Sequence, residues 1–505
     1  MKFYLLCCAV SFFHRKKSSI ILNSIFKKET IVSHSQEYRI EEDLLGQLEV
    51  PADVYYGVQT LRAVNNFDLS GITLSHFPNF VNALVVVKQA AADANYELGG
   101  LTKEKHEAIT YACQRILAGE YHEQFVVDMI QGGAGTSTNM NANEVIANVA
   151  LEHMGYQKGE YQHLHPNNDV NMAQSTNDAY PTAIRLGLLL GHKRLLESLA
   201  CTIEAFKAKS KEFDHILKMG RTQLQDAVPM TLGQEFFAFA TNLEEDLERF
   251  ESWAPELLLD VNLGGTAIGT GINADPKYQG IAVRRLAEIS GHPVRAAKDL
   301  IEATSDMGDF VLFSGMLKRT ATKLSKICND LRLLSSGPRT GIQEINLPPR
   351  QPGSSIMPGK VNPVIPEAVN QVAFEIIGND LAVTLAAEAG QLQLNVMEPL
   401  IAYKLFDSTR LLQRALDMLC SLCIEGVTAN EAHCKHLVEN SIGLVTALNP
   451  YIGYQNSSRI AKKAFASGRA VLELVREEGL LEEDVLQEIL RPENMITPRM
   501  LTVER

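Results

Sequence analysis

Two hydroxyls, an ammonium and an amide sit in one short loop. They are Ser354, Ser355, Lys360 and Asn362, within Gly353-Ser354-Ser355-Ile356-Met357-Pro358-Gly359-Lys360-Val361-Asn362-Pro363. Gly353 and Gly359 permit backbone angles closed to other residues, while Pro358 and Pro363 fix φ and withdraw N–H groups. Such a loop can be shaped and mobile at once. Its polar groups are all hydrogen-bond donors, a set suited to a small dianion whose charge grows during reaction. Three more clusters share this character: Gly135-Thr136-Ser137-Thr138-Asn139, Gln174-Ser175-Thr176-Asn177-Asp178 and Gly220-Arg221-Thr222-Gln223. One such cluster alone reads as a helix cap. With four, each beside a predicted long helix, capping and anion binding become one reading, because hydroxyl-capped helix N-termini are anion sites.

Thr136, Ser175, Thr176, Ser355, Lys360 and Asn362 could meet the extra charge of an aci-carboxylate. That species forms when a proton is taken from the carbon next to a carboxylate. A serine alkoxide could take the proton, provided neighbouring cations and backbone N–H groups bring its high pKa down. The residues alone stop there: they give a polar anion site on loops and do not choose the reaction.

Spacing sets other chemistries aside. Gly353 to Lys360 is no P-loop, since Val361 follows the Lys where Ser or Thr is required. There is no G-x-S-x-G elbow. The glycines of Gly264-Gly265-Thr266-Ala267-Ile268-Gly269-Thr270-Gly271 are in the wrong order for dinucleotide binding. His163, His165, His433 and His436 lack carboxylates at ligand spacing and read as surface or capping residues. Eight scattered Cys form no disulfide framework. Cys420-x-x-Cys423 lies in an apolar helical run and reads as buried thiols in a reducing cytosol. The net charge of −13 argues against a nucleic-acid partner.

The clusters need a scaffold, and proline spacing outlines it. Pro is absent from 79 to 165, 182 to 228, 294 to 337 and 400 to 449, runs rich in helix formers. Ile184, Leu188, Leu195, Leu199, Ile203 and Phe206 form one stripe of a long amphipathic helix. Leu324, Ile327, Cys328, Leu331 and Leu334 repeat the pattern. Residues 367–396 and 400–426 are apolar over more of their surface, which predicts burial in a bundle or at a subunit interface. Strand candidates are short, Gly46–Pro51 and residues 55–59. Polar breaks at 131–143, 163–181, 220–229, 264–276 and 337–366 carry the clusters. The prediction is an all-α protein around a central bundle of very long helices. Residues 1–36 hold six Lys/Arg and one Glu. Their apolar run at 3–13 is too short to span a bilayer and a poor signal peptide, so they read as an extension outside the fold.

GSSIMPGKVNP resembles the signature of the fumarase/aspartase superfamily. Further strings match in order: IEEDLLG at 40–46, VPAD at 50–53, QGGAGTSTNMNANEV at 131–145, QSTNDAYPT at 174–182, GRTQLQDAVPMTLGQEF at 220–236 and AEAGQLQLNVMEP at 387–399. Within the superfamily the chain is similar to the aspartase branch. Its loop continues NPVIPE, residues 390–398 read GQLQLNVME, and Gln223 stands where fumarases typically have His.

The resemblance implies an all-α fold of three domains (37–175, 176–430 and 431–505, after the 1–36 extension) with a central five-helix bundle. It implies a cytoplasmic homotetramer whose active sites are shared between subunits. The implied reaction is reversible deamination of L-aspartate to fumarate and ammonia, with no organic cofactor; an activating divalent cation such as Mg2+ is left open. A class II fumarate hydratase and a catalytically silent structural homologue are the alternatives.

Carried over by position, Ser354 is the base that takes the Cβ proton. Ser355, Thr136, Ser175 and Thr176 hold the β-carboxylate, and Lys360 and Asn362 the α-carboxylate. Asn177 and Thr222 contact the amino group, with Gln223 beside them. Glu367 matches a carboxylate that pairs with His in relatives; with Gln223 that relay is weaker. An amine that leaves already protonated needs less acid help than hydroxide does.

Overall fold

The computed structural model describes residues 37–496, so the extension at 1–36 lies outside the described residues. Strands β1 (Tyr38–Asp43) and β2 (Gly46–Pro51) form an antiparallel hairpin paired from Tyr38↔Pro51 to Asp43↔Gly46. Residues 55–59 are not a strand. They run into helix α1 (Val58–Asn66), where the buried Glu144 carboxylate accepts the N–H groups of Gly57, Gln59 and Thr60. Those donors are the orphans of a helix start, and a carboxylate satisfies them better than a lone strand could. α2 (Pro78–Glu97) opens on Pro and is buried nearly all round, including Lys88. α3 (Lys103–Leu117) and α4 (Thr136–His153) complete this helical layer.

α5 (Thr176–Glu212) is the spine of the molecule. The predicted stripe Ile184, Leu188, Leu195, Leu199, Ile203 and Phe206 is buried throughout. Burial of each such side chain contributes about 1.5–3 kcal/mol. A hairpin then intervenes, β3 (Leu217–Thr222) and β4 (Gln225–Thr231), before α6 (Leu232–Leu258). Between the remaining bundle helices come α7 (Tyr278–Ser290) and the single turn α8 (Glu302–Ser305). The bundle is completed by α9 (Gly308–Leu334), α10 (Val364–Glu388) and α11 (Glu398–Leu422).

Side-chain contacts close the five long helices into a ring. Phe206 meets Phe236 and Phe239 between α5 and α6, and Phe250 meets Phe313 between α6 and α9. Ser314 donates to Asp380 between α9 and α10, Asn379 to Ser408 between α10 and α11, and Thr202 to the Leu416 carbonyl between α5 and α11. One face of α10 remains uncovered: Phe374, Ile377, Leu381 and Leu385 are exposed, the first at 63% and the third at 61%. A small helical region follows, α12 (Glu431–Asn440), α13 (Val445–Ser467), α14 (Val471–Glu477), α15 (Glu483–Ile489) and α16 (Pro492–Ile496). Leu448, Ile460, Leu474 and Leu486 build a separate apolar cluster within it.

The 37 residues of α5 rise about 55 Å at 1.5 Å each, and this length sets the geometry of everything below.

Candidate active site

Two of the four polar clusters meet at the start of α5. Ser175 is its N-cap: its Oγ accepts the Asn177 N–H at 3.2 Å, and Asp178 returns the capping box by accepting the Ser175 N–H at 2.9 Å. Accepting through Oγ leaves the Ser175 O–H free to donate outward. Thr176, at 9% exposure, lies just inside. Pro181 sits within this helix, contrary to the expectation that the polar break runs to 181. Pro has no N–H for the carbonyl four residues back, that of Asn177. Asn262 Nδ2 donates to that carbonyl instead, at 3.0 Å, while Asn177 Nδ2 donates to the Ala267 carbonyl at 2.8 Å. The side chain of Asn177 is thereby fixed. Thr136 opens the neighbouring helix α4, with its Oγ1 donating to the Gly133 carbonyl at 2.8 Å. Gly135, at φ 89°, brings the two helix starts together: a Cβ there would come within 2.6 Å of the Tyr180 ring.

Behind these donors stands an ionic hub that the sequence reading missed. Lys88 Nζ donates to Asn139, Asn171 and Gln174 at 2.6, 2.9 and 2.9 Å, three acceptors for three ammonium hydrogens. Asp178 accepts the N–H groups of Gly264 and Thr266 besides that of Ser175. Burial lowers Lys88 to about 7 and raises Asp178 to about 6, each partly offset by the other's charge. The available signal was a lone charged residue, Lys88, within the mostly apolar run FVNALVVVKQAAA.

The other two clusters lie at the opposite end of the bundle, and neither opens a helix. Thr222 ends β3, and Gln223 and Leu224 form the hairpin turn with φ 55° and 62°. Positive φ at both central positions is the type I′ turn, favoured by Asn-Gly and strained for Leu. The hairpin holds Thr222 and Gln223 out in an exposed position. The Ser354–Asn362 segment is a closed loop between α9 and α10. Gly353 N–H donates to the Lys360 carbonyl at 2.7 Å, and Asn362 Nδ2 to the Gly353 carbonyl at 2.8 Å. A Cβ on Gly353 would sit 2.5 Å from that Lys360 oxygen, so the closure requires Gly. Inside the loop, Ser354 Oγ accepts two backbone N–H groups, from Ile356 and Met357, each at 3.1 Å. Ser355 and Lys360 are exposed, and Glu367 lies half-buried in the first turn of α10.

The candidate residues of one chain therefore fall into two groups, candidate half-sites. Thr136, Ser175, Thr176 and Asn177 lie together; Thr222, Gln223, Ser354, Ser355, Lys360, Asn362 and Glu367 share the far end, which the Arg221–Glu344 ion pair and the Arg350 bond to the Leu422 carbonyl tie together. The length of α5 separates the halves by tens of ångströms.

The remaining expectations concern metal and thiol sites. Among the described residues no group of three or more His, Cys, Asp or Glu side chains converges as a metal site. His165 caps a turn, its Nδ1 accepting from Asn167 and Asn168. Cys420 and Cys423 are buried thiols, the former 3.4 Å from Cys201 Sγ.

Residues 46–378 match the family described as lyase, and residues 444–497 the one described as fumarase C C-terminus. An aspartate ammonia-lyase of Pseudomonas canavaninivorans is 76% identical over 473 residues, covering 94% of this chain and 100% of that protein. An aspartate ammonia-lyase of Escherichia coli is 56% identical over 92% of this chain and 97% of its own. Among solved structures, a fumarate lyase:delta crystallin from Brucella melitensis bound to cobalt superposes with TM-score 0.89 at 57% identity, over 92% of this chain and 100% of that one. A recombinant class II fumarase from Schistosoma mansoni superposes with TM-score 0.86 at 34% identity, over 91% of this chain and 99% of its own.

Proposed function

We propose, for a chain that belongs to the fumarase/aspartase superfamily of lyases, the aspartate ammonia-lyase reaction with Ser354 as its base. The observation that carries the mechanism is the pair of N–H groups on Ser354 Oγ. Backbone donors aimed at an oxygen stabilise its anion, and the Lys360 ammonium in the same loop adds positive charge. Both lower the cost of the alkoxide.

The alkoxide takes a proton from Cβ of L-aspartate, and the freed electron pair moves into the β-carboxylate. Ser175, Thr176 and Ser355 meet that charge, joined by Thr136 when its hydroxyl turns from the Gly133 carbonyl to the substrate, with the starts of α4 and α5 behind Thr136, Ser175 and Thr176. Lys360 and the remaining amide hydrogen of Asn362 hold the α-carboxylate. The pair then returns to form the C=C bond as the Cα–N bond breaks. Ammonia leaves beside Asn177, Thr222 and Gln223, and fumarate remains. No organic cofactor takes part in this route; stimulation by a divalent cation such as Mg2+ is read by adding it to chelator-treated protein.

The two half-sites of one chain cannot meet on one substrate, so the reading requires several copies in each site. The uncovered stripe Phe374, Ile377, Leu381 and Leu385 supports a homotetramer built on the bundle. Six free cysteines among the described residues and a net charge of −13 fit a cytoplasmic setting. Among the described residues no helix is long and apolar enough to cross a membrane.

Ser354→Ala should lower kcat for fumarate formation from L-aspartate by about 10^3-fold or more, with the oligomer intact. Near-normal turnover would remove Ser354 from the role of base.

A further inference from the structure

The hairpin tip that carries Thr222 and Gln223 is strained and exposed, yet both of its strands are anchored. On the β4 side, Ser441 Oγ donates to Asp226 Oδ2 at 2.6 Å. On the β3 side the anchor is a buried charge. Arg221, next to Thr222, donates to Glu344 Oε1 at 2.7 Å; Lys218 Nζ lies 3.0 Å from Glu344 Oε2 and also pairs with Glu235. The Glu344 side chain has 0% exposure and that of Lys218 3%.

Glu344 is held in turn from two directions. Its N–H donates to the Leu334 carbonyl at the end of α9, and its carbonyl accepts the Asn430 N–H ahead of α12. It stands ten residues before Ser354 on the segment that enters the base loop. A single carboxylate thus joins the hairpin tip, the end of α9 and the small C-terminal region.

We propose that Glu344, acting through Arg221, is a positioning residue that sets where the hairpin presents Thr222 to the substrate amino group. The proposal rests on the reading of Thr222 as an amino-group contact. Charge-assisted bonds to a carboxylate with no access to solvent are strong and costly to break, so the single Arg221 Nη1 bond to Glu344 Oε1, with a weaker one from the same nitrogen to the Met219 carbonyl, holds the strand just below the turn. Without it, the strained Gln223–Leu224 turn can relax and Thr222 moves off its mark.

The test uses the full-length oligomer with L-aspartate as substrate and succinate as competitive inhibitor. Succinate keeps both carboxylates and lacks the amine. In Arg221→Met, whose side chain is only partly buried, KM for L-aspartate should rise about tenfold while the succinate Ki stays within about twofold. Glu344→Gln should show the same split. A merely structural role would move both constants or the oligomeric state. Thr222→Ala is the reference: if it moves both constants alike, the amino-group reading itself fails. If Thr222→Ala splits them while Arg221→Met does not, the positioning role of Glu344 is overturned. Should Glu344→Gln not fold, Arg221→Met decides.

Discussion

At the start of α5 the polar side chains are held from behind; at the far end of the bundle they stand in the open. Thr176 and Asp178 are buried, Asn177 is fixed through Asn262 and Ala267, and Lys88 fills its three acceptors beneath them. Ser355, Lys360 and Thr222 are exposed, and Ile356 at the tip of the base loop is 83% exposed. An apolar residue so bare on a loop that carries chemistry marks a surface that is finished by something covering it. The contrast teaches a division of labour. Under the proposed function, the rigid end would serve as a ready receptor for a carboxylate, and the open end would be the part that arrives from another copy, bringing Ser354 with it.

Separating the copies should break this arrangement outright. Phe374→Asp with Leu381→Asp places charge on the uncovered face of α10 and should yield monomers with no measurable turnover, read by sizing and assay together. Active monomers would contradict the division. A narrower break is Gly353→Ala. The added Cβ cannot coexist with the Lys360 carbonyl at 2.5 Å, so the loop opens and Ser354 loses its two donors. Turnover should fall about 10^2-fold, the size of losing one preorganised anion-stabilising donor, with unchanged melting.

The rigid end can be probed by pH. Burial lowers Lys88 to about 7, so the folded chain releases this proton before the unfolded chain, whose Lys titrates near about 10.4. Stability contributed at this position is lowest below pH 7 and rises as pH climbs toward 10. Wild type should gain on Lys88→Met by on the order of 2 kcal/mol between pH 7 and pH 9 in denaturant unfolding. A pH-independent difference would show that Lys88 titrates normally.

Legibility in the sequence followed the same divide. The stripes of α5 and α9 were readable because a buried helix face repeats at fixed spacing, and all their members are buried. The four clusters were readable as compositions. Their settings were not. Thr222 lies on a hairpin whose turn, Gln223-Leu224, lacks the Asn-Gly signal and is held by distant partners, Glu344 and Ser441. Pro181 hid the true start of α5, since nothing local announces that Asn262 will satisfy the carbonyl it frees. The distance between the half-sites is invisible in a motif and follows only from helix length.

That distance makes the decisive measurement a mixing experiment. Thr176→Val and Ser354→Ala each disable one half-site and should each be nearly inactive alone. Co-expressed in one cell and purified as mixed oligomers, they should recover activity toward about a quarter of wild type, because random assembly reunites two intact halves in some sites. No recovery from oligomers shown to contain both chains would mean that each site is built within one chain, contradicting sites shared between copies.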